Sequence, residues 1–314
     1  MQRIGLIDID GHNFPNIALM KLSAWHKTQG DIVEWYMPFS DRYDLVYASK
    51  VFSFTPDFDD CVNADRVIRG GTGYAIELVD GREVFRKEND LPLPAEAEHI
   101  YPDYSLYPKQ TTDTAYGFLT RGCPRGCSFC IVGKKEGLCS TKVANLSEFW
   151  RGQRKIVLCD PNILACRDWR ELLQQLIDAG AEVDFNQGLD IRLMTEEKAR
   201  MISRMRIKKI HFAWDRYEDK DKVLPKLQMF ADVASPNIHK KQAHNAIVYT
   251  IVNFDTTFEQ DLERIYTLRD MGYWPYIMIY DKAHSRREYR RLARWVNNRY
   301  IFGACKTFEE YEAK

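Results

Sequence analysis

Short apolar runs alternate with amphipathic stretches along most of the chain, and after Thr114 this alternation repeats six times. A run of four to six apolar residues bounded by polar ones reads as a buried strand. The first, 115–120, passes directly into a cysteine-containing loop, and the second, 155–159, ends in Asp160-Pro161-Asn162. A helix is predicted over 168–179, with Gly180 placed to stop it. The third strand, 183–185, ends in Asn186-Gln187-Gly188-Leu189-Asp190-Ile191-Arg192, after which Thr195 reads as a helix N-cap with Glu196 and Glu197 in the first turn. The fourth, 209–214, ends in Asp215 and precedes a weaker helical stretch over 225–233. The fifth, 246–252, ends in Asn253-Phe254-Asp255 and leads to a helix over 257–271. The sixth, 276–280, ends in Asp281, and a last helix covers 286–298. Strand-then-helix repeats imply a parallel sheet. In a barrel of such units the chemistry collects where the strands end.

The N-terminal part carries its own pattern. Strands are expected over 3–9, 33–36, 45–48 and 67–68, with a helix over 16–29 ended by Gly30, and the last strand runs into Gly70-Gly71. That order suggests a small doubly wound sheet of the Rossmann-like or flavodoxin-like kind. The stretch 80–108, rich in proline and acidic residues, reads as a linker rather than more sheet. The expected domains are therefore 1–95, a linker over 96–112, and a partial (β/α)6 TIM barrel with a C-terminal helix over 113–314.

Composition narrows the partners. The 314 residues are 45% hydrophobic, enough for one large and one smaller core. Forty-five basic and forty-five acidic side chains cancel, so no global field recruits nucleic acid or membrane. The first apolar run contains Asp8 and Asp10, unlike a secretory signal, and no apolar stretch reaches membrane-spanning length. A cytoplasmic protein is expected, its eight cysteines kept reduced. Cys61, Cys139, Cys159, Cys166 and Cys305 read as small buried hydrophobes.

The remaining three cysteines carry the chemistry. In Gly117-Phe118-Leu119-Thr120-Arg121-Gly122-Cys123-Pro124-Arg125-Gly126-Cys127-Ser128-Phe129-Cys130 they stand three residues and then two apart. Thiolates select iron–sulfur clusters, zinc or copper(I). An electron-transfer ferredoxin would supply a fourth cysteine, and structural zinc prefers two close pairs; three thiolates on one tight loop leave one iron of a cubane cluster open. The run resembles the radical SAM superfamily, whose CxxxCxxC loop chelates a [4Fe–4S] cluster with S-adenosylmethionine (SAM) on the open iron. The (β/α)6 partial barrel is that superfamily's usual catalytic fold, and Phe129 matches its usual aromatic.

The resemblance implies further roles. Cys123, Cys127 and Cys130 would be the cluster ligands. Asp160 and Asn162 would lie near the SAM amino group, although other branches carry Gly-Gly-Glu there. The segment 187–192 is similar to the family's third strand end, placing Gln187 and Asp190 near SAM and giving Arg192 the SAM carboxylate, which a guanidinium binds bidentately. Asp215 and Asn253 would suit the ribose and adenine. Reductive cleavage of SAM would give methionine and a 5′-deoxyadenosyl radical that abstracts a substrate hydrogen, with flavodoxin or ferredoxin as electron donor.

The first domain resembles the cobalamin-binding domain that precedes the barrel in one branch. Asp10-Gly11-His12-Asn13-Phe14-Pro15 supplies the Asp and His of its Asp-x-His-x-x-Gly fingerprint, but Pro15 replaces the glycine. Cobalamin is therefore the less favoured ligand, and Asp10, His12 and Asn13 are instead candidates for a substrate pocket, with Asp255, Tyr280 and Asp281. Carboxylates accept from base amino groups, so a small nitrogen heterocycle of the 7-deazaguanine or queuine type, processed by a radical lyase in base salvage, is the leading expectation. The alternatives are a cobalamin-dependent methyltransferase, a tRNA methylthiotransferase-like enzyme and a zinc-stabilised interaction protein. Arg286, Arg287, Arg290, Arg291, Arg294 and Arg299 crowd the last helix; with Glu288 and a neutral whole chain, a solvated face is preferred there over nucleic acid.

Overall fold

The computed structural model describes residues 1–58, 61–79, 82–234 and 245–312. They group into two compact units, Met1–Pro161 and Asn162–Lys314. Both are α/β with mostly parallel sheets.

The first unit opens with strands β1 (Arg3–Asp8), β2 (Ile32–Trp35), β3 (Tyr43–Ser49) and β4 (Ala64–Gly70), all parallel and ordered β2-β1-β3-β4. The chain turns back between β1 and β3, the switch point where doubly wound sheets bind ligands beyond their strand ends. The helix Ile17–Thr28 is capped by Asn16, whose Oδ1 accepts the Leu19 N–H at 3.2 Å. Ile4, Leu6, Leu19, Leu22 and Tyr47 form the core beneath it, the inward positions that strand and helix periodicities define.

At the start of the stretch 80–108, expected to be linker, β6 (Arg82–Phe85) pairs with the preceding β5 (Ile76–Val79) as an antiparallel hairpin. The Asp80-Gly81 dipeptide is a strong hairpin signal that the acidic composition overshadowed; residues 80 and 81 themselves lie outside the described residues. The segment that follows is pinned by tyrosines. Tyr107, 1% exposed, donates to Asp8 Oδ2 at 2.7 Å, and Tyr104 donates to the Phe149 carbonyl at 2.6 Å.

Next come β7 (Thr114–Gly117), β8 (Thr120–Arg121), β9 (Thr141–Lys142) and β10 (Lys155–Leu158). β7 and β10 are parallel, whereas β8 and β9 form a short antiparallel ladder that closes the base of the cysteine loop. The strand expected over 115–120 is thus divided between β7 and β8.

The second unit holds β11 (Glu182–Phe185), β12 (Ile210–Ala213), β13 (Ala246–Val252) and β14 (Trp274–Ile279), the last three forming one parallel sheet. The helices Trp169–Ala179, Glu196–Ser203, Lys220–Ala234, Phe258–Asp270 and Arg287–Asn297 intervene or follow. The expected caps form: Thr195 accepts from the Lys198 N–H, Thr257 closes a capping box with Gln260, and Gly180 adopts the left-handed conformation. The helix expected to begin at 225 begins instead at Lys220, with Pro225 inside it. The carbonyl left without a donor by Pro225 belongs to exposed Asp221, where water can satisfy it. Among the described residues no helix is long and apolar enough to cross a membrane.

Candidate active site

The cysteine loop is held at its entrance by residues of the first unit. Asp160, 4% exposed just after β10, accepts the N–H groups of Leu119 at 3.1 Å and Thr120 at 2.6 Å and the Thr120 hydroxyl at 2.7 Å. Burial raises its carboxyl to about 6, against the opposing pull of these donors. Its role here is to fix the chain three residues before Cys123. On the far side, Glu136 binds Arg121 Nη1 at 2.8 Å and the Gly122 N–H at 3.0 Å. Arg121 also lies over the Phe118 ring at 3.4 Å. Glu136 escaped the sequence reading because nothing in its neighbours marks it as a clamp.

Between these anchors the backbone is bent as a ligand loop requires. Gly122 has φ +85°, and a Cβ there would fall 2.1 Å from the Cys139 carbonyl oxygen. Gly126 is also left-handed. The Cys130 N–H bonds the Cys127 carbonyl at 3.0 Å, placing those two residues on one turn, and the Cys123 N–H bonds Gly137 at 3.1 Å. Cys123, Cys127, Cys130 and Phe129 are all half-buried. Among the described residues no three histidine, cysteine or carboxylate side chains are already gathered as a metal-binding group. The fit to a cluster rests on the donor set of three thiols and on the glycine-permitted loop. Of the cysteines expected to be buried, Cys159, Cys166 and Cys305 are, while Cys61 and Cys139 are exposed. Both stand in irregular segments with no regular apolar face to cover them.

The second unit brings several strand-end residues together. Asp190 caps the turn Ile191–Leu193 and accepts from the Arg192 Nε at 2.8 Å and from Asn162 Nδ2 at 3.3 Å. Arg192 Nη1 reaches Asp219 at 2.9 Å. Burial works against the guanidinium's charge, yet these carboxylates hold its pKa above the ordinary arginine value. Asp219, 8% exposed, was missed because it sits in an Arg-Tyr-Glu-Asp-Lys run that reads as surface charge. Asp215 accepts the Ile251 N–H at 3.3 Å. Burial raises its carboxyl to about 6, with Arg264 and Arg192 opposing and Asp190 adding to the rise. Gln187 is exposed beside left-handed Gly188.

A buried ion pair braces these strand ends. Arg264, fully buried, donates to the carbonyls of Trp214, Asp215 and Ile251 at 2.7 Å each and to Asp261 at 2.5 Å. Asp261 in turn accepts the Asn253 N–H at 3.3 Å and the Thr256 hydroxyl at 2.6 Å. Asn253 and Asp281 are the two non-glycine residues with positive φ among those described, at 62° and 46°. Such conformations persist where surrounding contacts over-determine them. Asn253 Nδ2 donates to the Tyr280 carbonyl at 3.1 Å, the Phe254 and Tyr280 rings meet edge to face at 4.7 Å, and Asp281 pairs with His284 at 2.9 Å. Asp255 is exposed.

The N-terminal candidates divide. Asp10 accepts from the N–H groups of Val51 and Phe52 and from the Thr55 hydroxyl at 2.6 Å, so it ties the loop after β1 to the loop after β3. The His12 ring meets Trp35 edge to face at 4.5 Å, and Asn13 is exposed.

No family model matches the sequence, and no curated protein matches it. Solved structures do. One is the radical S-adenosylmethionine methyltransferase TsrM from Kitasatospora setae with cobalamin and a [4Fe-4S] cluster bound, with TM-score 0.61 and 11% identity over 88% of this chain and 72% of that one. The same enzyme with tryptophan substrate and the SAM analogue aza-SAM also matches at TM-score 0.61 and 11% identity, over 88% and 73% of the two chains. This chain therefore shares the α/β fold of a radical SAM methyltransferase.

Proposed function

We propose that the protein is a radical SAM enzyme acting on a small, heterocyclic substrate. The observation that carries this reading is the CxxxCxxC loop, entered directly from β8 and fixed on one side by Asp160 and on the other by Glu136. In this reading β7 and β10 to β14 form the partial (β/α)6 barrel, residues 1–95 form the preceding domain and 96–112 the linker. A [4Fe–4S] cluster held by Cys123, Cys127 and Cys130 would supply the electron that cleaves SAM to a carbon radical. Asp190 holds the Arg192 Nε and Asp219 its Nη1, so a SAM carboxylate would meet the guanidinium through Nη2 alone rather than as a bidentate pair. Asp215, with its carboxyl near 6, can accept hydroxyl or N–H donors from a nucleoside. A flavodoxin or ferredoxin supplies the electrons. A lyase acting on a 7-deazaguanine-type base remains our preferred specific reaction, since the strand ends offer carboxylates to a guanine-like edge.

A second reading, a cobalamin-dependent methyltransferase, is favoured by two observations. The N-terminal sheet is parallel with its switch point beside β1, and two of the solved structures sharing the fold are of a methyltransferase, one of them holding cobalamin. Anaerobically reconstituted protein, reduced with dithionite and given SAM with and without hydroxocobalamin, separates the readings. Formation of 5′-deoxyadenosine without corrinoid supports the first. S-adenosylhomocysteine and a methylated acceptor only with corrinoid support the second. Neither product, with zinc in place of iron, overturns both.

A further inference from the structure

The loops that leave β1, β2 and β3 emerge at one edge of the N-terminal sheet, because the three strands are parallel neighbours. Each loop carries a segment without a charged side chain, 13–16, 36–40 and 51–56, in a chain that is 29% charged. These segments expose Phe14, Met37, Phe39, Val51, Phe52 and Phe54, with Phe39 fully in solvent. A single exposed apolar side chain is ordinary, but six on one rim mark a binding surface. An uncharged rim selects an occupant that presents no charge to it, since a buried ion without a partner is costly. The rim also stands at the β1–β3 switch point, where sheets of this kind bind ligands beyond their strand ends.

Two of the rings are already arranged for a flat ligand. Phe52 and Phe54 stack with centroids 5.2 Å apart and planes at 21°, although they are 52% and 78% exposed. Rings on a loose loop would sample many orientations, but this loop is tied down at several points. Asp10 accepts the N–H groups of Val51 and Phe52 and the Thr55 hydroxyl. The Thr55 N–H closes a turn on the Phe52 carbonyl at 3.3 Å, and the Ser53 hydroxyl donates to Glu83. Gly73 allows the chain behind to approach, since a Cβ there would fall 2.8 Å from the Phe52 carbonyl oxygen. An aromatic face held in place this way spares a ligand the entropy of ordering it. Stacking on it accepts any flat ring, because every such ring has a π-face.

We propose that the Phe52–Phe54 pair is a stacking platform for an uncharged heteroaromatic ring, which lies on the open face of Phe54. This rests on the small heterocyclic substrate proposed above and names the residues that hold its ring. Asp10, on this account, acts by fixing the loop and does not touch the ligand.

The test is equilibrium dialysis of 7-deazaguanine against the full, anaerobically reconstituted chain without SAM. The wild type should bind it, and should bind the saturated, uncharged lactam 2-piperidone about tenfold more weakly. Phe54→Leu keeps apolar bulk but loses the π-face, so it should hold 7-deazaguanine about tenfold more weakly and, being altered at an exposed position, melt with the wild type. Phe54→Trp should bind at least as well as the wild type. Leu78→Ala, exposed on the β5–β6 hairpin, should also bind as the wild type. No binding by the wild type, unchanged affinity in Phe54→Leu, equal affinity for 2-piperidone, or an equal loss in Leu78→Ala overturns the proposal. So does hydroxocobalamin that the wild type retains and Phe54→Leu releases, which would mark a seat for a corrin, or a dimer that Phe54→Leu dissolves, which would mark a second copy of the chain as the occupant. Ring binding that depends on Phe54, together with no 5′-deoxyadenosine when SAM is supplied, would leave the platform standing and strike only the radical reading.

Discussion

Buried Asp160 and half-buried Asp215 both have carboxyls raised to about 6, but they are committed differently. Asp160 spends its oxygens on two N–H groups and a hydroxyl, whereas Asp215 receives one N–H from Ile251. Asp215 is the one left with acceptor capacity for a ligand. Its raised pKa also has a sign for stability. The folded state binds the proton more tightly than the unfolded chain, so the contribution is fully present below the ordinary pKa of 3.8 and is lost as pH rises through about 6. A rise of that size corresponds to about 3 kcal/mol. Asp215→Asn keeps an acceptor for Ile251 and does not ionise, so urea unfolding should show the variant gaining on wild type by up to about 3 kcal/mol between pH 4 and pH 8. A pH-independent difference would mean that Asp215 is not desolvated. The sequence exposed these residues because strand ends collect polar side chains, but it could not say which were already satisfied. Arg192, expected to be open to a carboxylate, is bound by Asp190 and by Asp219, a residue twenty-seven positions on that local pattern cannot connect to it.

At the scale of elements, the cysteine loop and the Arg264–Asp261 brace do the positioning. Gly122→Ala would place a methyl group against the Cys139 carbonyl in a left-handed backbone, a strain of about 1–3 kcal/mol. Iron content after reconstitution should fall well below wild type while the melting transition of the metal-free protein moves only slightly. Asp261→Asn leaves the buried Arg264 guanidinium without its counter-charge, and chemical denaturation should register a loss of about 3–5 kcal/mol. Legibility differed between these elements for a physical reason. The CxxxCxxC spacing and the helix caps at Thr195, Thr257 and Gly180 are local, so the sequence displays them. The brace joins Trp214, Ile251 and residue 264 on three separate elements, and the β5–β6 hairpin was hidden by acidic composition.

Across the whole molecule, the parallel pair β7 and β10, the parallel sheet β12 to β14 and the four-stranded N-terminal sheet were legible from the alternation of apolar runs and amphipathic helices. That periodicity is set by burial on one face. The division into units at Pro161 was not legible, because it follows which contacts are made rather than composition. Everything proposed for function depends on Cys123, Cys127 and Cys130 holding a cluster that SAM can reach. Electron paramagnetic resonance of the anaerobically reconstituted, dithionite-reduced chain measures this without knowledge of the substrate. The expected result is a reduced [4Fe–4S] signal whose g-values shift when SAM is added, absent from Cys123→Ala, Cys127→Ala and Cys130→Ala. A chain that takes up zinc instead of iron, or a cluster signal that SAM leaves unchanged, would contradict the radical SAM reading.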